Sequence, residues 1–572
     1  MNRKPTIVTA LFLLAATLAG AQSPRNLWLD SDNPAGIRQD TAVAKSALAE
    51  LYSGMEAGGF RQTWEGSLPW TAGARVYSLV HLRRMSMEGS FHFEQMGGSD
   101  MCGSMLLDPQ WWPLDVLEFT PGRKSRQLYA FTGAFSTDLT GQWRIGGALN
   151  FSSANYTKRK DLRYSNYCLD LSVAPGAVWH RGDLSLGLNL IFGKKSETPV
   201  AKQIGTKDSF YAFLDKGLMY GSYELWDGSG VHLAEAGVNG FPLRELSAGA
   251  GVQLQKGRFY AALDYRYSSG RAGEKQQIWF RFPSHNANLD LGWDMLRAGA
   301  LHSFRATASF RQLVNSETVL ERYTEGGLSK YRELSSRPIL GRQQGTLRLD
   351  YGLEDGRNSI TAALGFSGGA DYMSQLYPYI LERRSASWEA EAAYMRKLGH
   401  FGIGASLLYA DGAVRDSGRD VNADSGVASE AFRLSDWDAR AVEYMSAARI
   451  AVGLQGKYSF WKGLFVRLDL SYMRAFGISL LPGADRFKGE ISFGYEFYKS
   501  NIYEKDSNPF GRRLAAGRLQ QGKRSSSACV RQARAYNHEG AEPQFQLRRR
   551  DRSGTENGGR RQHLRRQRKD EL

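Results

Sequence analysis

Charged side chains recur inside otherwise apolar, alternating stretches of this chain. Several come as acid–base pairs two residues apart: Asp264 with Arg266, Arg348 with Asp350, and Arg467 with Asp469. Residues i and i+2 of an extended strand share a face. Together with Arg144 and Arg305, these groups are candidate lining residues of a wet surface, where they present charge to a passing solute or neutralise one another. Catalysis asks for more. A hydrolytic nucleophile needs an adjacent base and a third group that orients the base. The nine histidines supply no such set: His81 and His92 fall in strand-like stretches, and His232 and His285 fall in loops or strand ends. No Gly-x-Ser-x-Gly elbow stands out. Asp411, Asp416, Asp420 and Asp424 offer hard oxygen ligands of the kind that hold calcium. Their spacing departs from the calcium-loop pattern and Arg415 and Arg419 intervene, so the stretch reads as a solvated loop. The expectation is a chain that is not an enzyme, with no catalytic residues, no metal and no cofactor.

The elements that carry these charges alternate with period two. Leu347, Leu349, Tyr351 and Leu353 interleave with Arg348, Asp350, Gly352 and Glu354. Trp143, Ile145, Leu149 and Phe151, then Phe259, Leu263, Tyr265 and Tyr267, then Leu464, Val466, Leu468, Leu470 and Tyr472 repeat the pattern. An arginine on a lipid-facing strand at mid-membrane costs about 2–4 kcal/mol, whereas one facing a wet lumen costs little. The charges therefore select the inner face and fix each strand's register. Many such stretches without intervening helices predict an all-β fold, a transmembrane antiparallel β-barrel of about sixteen strands (range 14–18). Short links at 138–142, 255–258 and 398–400 predict tight turns at one end. Longer stretches near 95–126, 194–244, 314–342 and 411–440 predict loops that are extracellular or folded into the lumen. No run of eighteen apolar residues lies beyond the N-terminus, which excludes a helical membrane bundle.

The ends of the chain differ from its body. Arg3 and Lys4, the apolar residues 7–18 and Ala19-Gly20-Ala21 predict a cleaved signal peptide over 1–21. Residues 22–71 read as a periplasmic segment or hatch, whose stretch from 42 to 53 forms a first strand or a short lumen helix. Residues 72–498 read as the outer-membrane barrel. The net charge is +16, but residues 501–572 hold 18 basic against 8 acidic side chains, a net of +10, which leaves +6 for everything before. The basicity therefore belongs to a tail and argues against nucleic acid as a partner. That tail, 499–572, is Arg-, Gln- and Gly-rich, lacks apolar periodicity and reads as disordered. It has the look of a frame-shifted end, which would cost the barrel its last strands unless the stretch 491–497 closes it. Only Cys102, Cys168 and Cys529 occur, so at most a single Cys102–Cys168 bridge is expected.

Two loops are too aromatic for water: Trp111-Trp112-Pro113-Leu114, and Phe213 with Tyr220, Tyr223 and Trp226. They must plug the lumen, form an apolar mouth or contact a partner. Asn33-Pro34-Ala35-Gly36, Met101-Cys102-Gly103-Ser104-Met105, the stretch 117–122 and the stretch 154–161 resemble an uncharacterised family of Gram-negative outer-membrane β-barrel proteins. The resemblance implies fold and compartment rather than a reaction. Asn33 and Pro34 also resemble, in a single tetrapeptide, the N-terminal hatch of long-chain fatty-acid transporter barrels.

The functional expectation is a porin-like passive channel or transporter for small or hydrophobic solutes. It would be a monomer set among outer-membrane lipid and lipopolysaccharide. The alternative is a structural barrel with a plugged lumen, whose loops recognise an envelope protein.

Overall fold

A computed structural model of the chain describes residues 27–39, 43–160, 162–202, 211–226, 232–233, 240–274, 277–376, 379–418 and 434–500. Residues 1–21, where a signal peptide is expected, and nearly all of the basic tail fall outside them. Among the described residues there are twenty strands. The first seven are β1 (Val43–Gly58), β2 (Trp70–His81), β3 (Met85–Ser104), β4 (Asp115–Asp138), β5 (Trp143–Lys158), β6 (Arg163–Arg181) and β7 (Leu184–Lys202). A short hairpin follows, β8 (Tyr211–Asp215) with β9 (Gly221–Leu225). The wall resumes with β10 (Leu243–Lys256), β11 (Phe259–Glu274), β12 (Gln277–Arg297), β13 (Ala300–Glu325), β14 (Leu328–Glu354) and β15 (Asn358–Leu376). It ends with β16 (Tyr379–Leu398), β17 (Phe401–Ser417), β18 (Arg449–Ser459), β19 (Leu464–Ala475) and β20 (Asp485–Ser500).

Each wall strand pairs antiparallel with the next, β7 pairs with β10 across the hairpin, and β20 returns to β1 from Val43↔Ser500 to Gly58↔Arg486. The wall is thus a closed barrel of eighteen strands. The count sits at the top of the expected range, because the stretch ahead of residue 72 supplies β1. Among the described residues β20 closes the wall on β1. The expected loop at 314–342 is a ribbon instead: β13 and β14 stay paired out to Glu325↔Leu328. Above the membrane both faces of a ribbon meet water, so the apolar–polar alternation that marks a strand disappears there. The aromatic stretches at 95–126 and 194–244 also begin and end as strand, and 105–114 is the true loop of the first.

Parity works as the charges require. Leu263, Tyr265, Phe304, Leu347, Leu349, Phe366, Leu454, Leu468 and Ile491 are exposed on the outside. Their neighbours Arg305, Arg348, Gln455, Arg467 and Glu490 turn inward to polar partners, and Asp264 is buried on the inner face. So continuous an apolar outer surface is stable only against hydrocarbon. Aromatics gather beside the tight turns, where Trp293 stacks on Phe304 (5.7 Å between ring centroids) and Phe304 packs on Tyr351 (5.1 Å). Rings with one wet edge collect at such a boundary. The turns themselves need positive φ, which Gly182 (62°) and Gly257 (58°) supply without strain.

Leu349→Arg is expected to cost about 2–4 kcal/mol of folding free energy in a bilayer, and Thr346→Arg, on the inner face of the same strand, under about 1 kcal/mol. Reversible urea unfolding in lipid vesicles measures both. Equal costs would contradict the assigned faces.

Candidate functional site

The lumen is occupied at the tight-turn end by residues 27–39. A helical turn α1 (Leu27–Asp30) leads into a 3-10 turn over Pro34–Gln39. Asn33 organises it. Its side chain accepts the Ala35 amide (3.1 Å), as asparagine does in tight turns, and its Nδ2 donates to the Ala177 carbonyl (3.1 Å) and Gln253 Oε1 (2.8 Å). The wall is thinned to receive it: a Cβ on Gly176 would lie 2.2 Å from Asn33 Oδ1, and one on Gly146 would lie 2.8 Å from the Ala35 nitrogen. Pro34 is fully embedded. Trp28 donates to Gln255 (2.5 Å) and meets Tyr260 edge-on. Arg38 bonds Asp138 (3.0 Å) and the carbonyls of Leu82 and Arg83 in the β2–β3 turn. Ile37 packs with Leu48, Tyr77, Leu79 and Phe465.

Three of the expected lining residues serve this segment. Arg266 pairs with Asp32, Arg144 donates to Gln39 (2.8 Å) and Asp138 (3.2 Å), and Arg305, on Asp294, lies beside Leu27 at Gly292. Asp264 is buried on the same side.

The opposite end is filled by the aromatic segments. Buried Glu197 on β7 gathers the 105–114 loop by accepting the Leu107 amide (2.6 Å) and Trp112 Nε1 (2.8 Å), with Asn166 Nδ2 completing the shell (2.7 Å). Trp111 is clamped between Lys195 (4.0 Å to its ring centre) and Arg311 (3.9 Å). Below it Trp112 joins a large apolar cluster with Phe241, Phe280, Phe282 and Leu340, against which Trp226 is half-buried. The β8–β9 hairpin joins the wall by a three-residue ladder, Asp115↔Asp215 to Leu117↔Phe213. Phe213 is buried with Leu117, Cys102 and Trp437. A salt-bridged triad, Glu118 with Lys124 (3.2 Å) and Lys158, lies wholly out of solvent. Cys102 and Cys168 are free thiols, so the one bridge the sequence allowed between them does not form.

A helix crosses this mouth where a loop was expected: α2 (Leu434–Ser446). Leu434, Trp437 and Tyr444, at helical spacing, face the interior. Asp438 takes both guanidinium nitrogens of Arg383 (2.8 and 2.9 Å), Arg383 also holds Asp416 (2.8 and 2.6 Å), and Tyr444 stacks on Phe60 (4.7 Å). Glu443 accepts the amides of Ser479 (2.7 Å) and Leu481 (2.8 Å) in the β19–β20 loop. Asp411 bonds its neighbour Gly412 and Asp416 is taken up by Arg383, while Asp420 and Asp424 lie outside the described residues. Among the described residues, no group of three or more His, Cys, Asp and Glu side chains is arranged to hold a metal.

Along β13–β20 the inner face is different. It is polar, small and open: Ser309 bonds Thr346 (2.6 Å) and Ser367 bonds Ser387 (2.6 Å), all facing accessible space. Lower down, Arg348 reaches Asp350 (2.8 Å), Glu389 (3.2 Å) and Glu391 (3.2 Å). Arg467 reaches Glu50 (2.5 Å), Asp469 (2.7 Å) and Glu490 (3.5 Å), the last shared with Arg75 (3.2 Å). Four expected lining residues therefore meet on this wall. Glu389 and Glu391 were not anticipated, because in Trp388-Glu389-Ala390-Glu391-Ala392 alanines stand where large outward residues mark a strand. The filling of the lumen is lopsided: the mouth cluster also packs on Leu313, Leu340, Met373 and Leu381 of β13–β16, and below it the inner face of β13–β18 stays wet.

Replacing Asn33 by Ala leaves Gln253 and the Ala177 carbonyl without its amide, a loss of about 1–3 kcal/mol from the seating of 27–39. Faster tryptic cleavage after Arg38 in the folded barrel is the expected result. An unchanged rate would mean Asn33 does not hold the segment.

Asp215 titrates at the hairpin's foothold. Burial raises its carboxyl from about 3.8 to about 7, and the charge of Asp438 adds to this, against the Gly217 amide and Arg342. A released hairpin would return it to the ordinary value. The docked form thus holds more protons between pH 4 and 7, so docking is tightest below about pH 4 and weakens as pH rises through 7. Hydrogen exchange in 211–225 should speed up from pH 5 to 8 in the native protein, after correction for intrinsic rates, and lose that dependence in Asp215→Asn.

None of the curated proteins matches the chain in sequence. Among solved structures, it is similar to the ferric enterobactin receptor of Pseudomonas aeruginosa (TM-score 0.37, 10% identity, 80% of this chain and 81% of that one covered). It is likewise similar to the alcaligin outer-membrane receptor of Bordetella pertussis (0.35, 9%, 80% and 77%). The ferric preacinetobactin receptor of Acinetobacter baumannii is a third such structure (0.35, 7%, 79% and 80%). The match that decides kinship is of another kind and spans nearly the whole wall: over residues 34–497 the chain belongs to a family of unknown function, DUF6850.

Proposed function

We propose that this protein is an outer-membrane barrel that passes small hydrophilic solutes along the β13–β20 side of its lumen, under the control of the α2 segment at the mouth. The carrying observation is the lopsided filling. A barrel meant only as a scaffold gains by packing its whole bore, yet this one leaves hydroxyls and ion-paired charges wet below the mouth cluster. The contacts of 27–39 fall on β1–β12 and on Phe465 of β19, and leave the β14–β18 side of the lower lumen to water. Above the lane stands α2, tied down through Arg383 and Asp438. In this reading the signal peptide is removed on export and the tight turns face the periplasm. The lipid belt sits in the outer membrane, and the closed wall, with no unpaired strand, needs no second copy. The polar lane favours hydrophilic over apolar solutes. Catalysis has no part in it.

The buried Glu118–Lys124–Lys158 triad and the Glu197-anchored loop favour a second reading, a structural barrel closed for good. Planar-bilayer recording separates the two. The native chain should show brief openings, and Asp438→Asn, which removes one charged end of the Arg383 tie, should raise open probability about tenfold, in line with the 1.5–3 kcal/mol of a charged hydrogen bond. If both proteins are folded by heat-modifiability and neither carries current, the structural reading replaces this one.

A further inference from the structure

We infer that the lane prefers cations to anions, and that Asp350, Glu389 and Glu391 around Arg348 set this preference. The inference rests on the passage proposed above. Three carboxylates crowd one guanidinium within 3.2 Å, and all stay in contact with the lumen: their side chains are 29%, 41% and 39% exposed. One cation cannot neutralise three anions, so the group keeps an excess of two negative charges. Glycine fixes its place. A Cβ at Gly365 would lie 2.7 Å from Glu389 Cγ, and the missing side chain lets that carboxylate lie flat against the wall.

The same motif recurs on the far side of the lane, where Arg467 serves Glu50, Asp469 and Glu490, with Arg75 on Glu490. Between the two groups stands the single pair Lys457–Glu496. Around this stretch of wall, seven carboxylates face four cationic side chains. They sit in a bore walled by lipid-clad protein, where low dielectric focuses their field. A potential of only one kT at such a level enriches cations over anions roughly sevenfold. Higher up the hydroxyl pairs Ser309–Thr346 and Ser367–Ser387 can hydrate either sign, so the discrimination belongs to the charged level.

The test is the reversal potential of the full-length protein in planar bilayers under a potassium chloride gradient, with Glu389→Gln/Glu391→Gln and Arg348→Gln beside it. The native protein should reverse on the cation side. The glutamine pair, which keeps size and hydrogen bonding, should move the potential to zero or beyond, and Arg348→Gln should move it further to the cation side. A native potential at zero or on the anion side overturns the inference while leaving the passage standing, and so does a glutamine pair that behaves as native. Absence of current from every folded form removes the passage and the inference with it.

Discussion

Backbone amides and carbonyls find no water in hydrocarbon, so each must be paired within the protein. That constraint makes the β1–β20 seam the condition for everything else here. An eighteen-strand sheet left open would offer two rows of unpaired groups to lipid, at several kcal/mol each. With Val43 through Gly58 laid against Arg486 through Ser500, no edge remains. The closed wall then sorts side chains by parity, and the inner face is free to accept charges the outer face forbids.

Two kinds of filling use that freedom differently. At the tight-turn end the insert is held by polar bonds to a wall stripped to glycine, and its few apolar anchors, Trp28 and Ile37, are local. At the mouth the filling is an aromatic cluster with ionic clamps at its rim. The first arrangement is specific in shape. The second gathers more buried side chains, and within it the β8–β9 hairpin pairs with the wall by a ladder of three residues. This second filling extends over Leu340, Met373 and Leu381 of β14–β16, on the mouth side of Arg348.

Parity was legible in the sequence wherever large apolar residues alternate with charge. The inward placement of Arg144, Asp264, Arg266, Arg305, Arg348, Asp350, Arg467 and Asp469 follows from the cost of charge in lipid alone. The aromatic loops were recognisable as things that must be buried, and Trp112 and Phe213 are. Other features left weaker traces. The β13–β14 ribbon outside the membrane has no reason to alternate, and β16 replaces its outward bulk with alanine. The α2 segment has its apolar residues at helical spacing, but it follows a Gly- and Asp-rich stretch that reads as loop. Which arginine holds which carboxylate depends on register between strands far apart in sequence, and no local pattern encodes that.

The glycine-lined recess for Asn33 and Pro34 bears on the order of assembly. Its floor is made by Gly146 of β5, Gly176 of β6 and Gly187 of β7, with Gln253 of β10 closing one side. These come together only once four strands have found their neighbours. A segment near the start of the chain can therefore settle in this recess only after those four strands are in place. What is synthesised early is installed late, as a keystone is, and until then the nascent bore stands unobstructed from below.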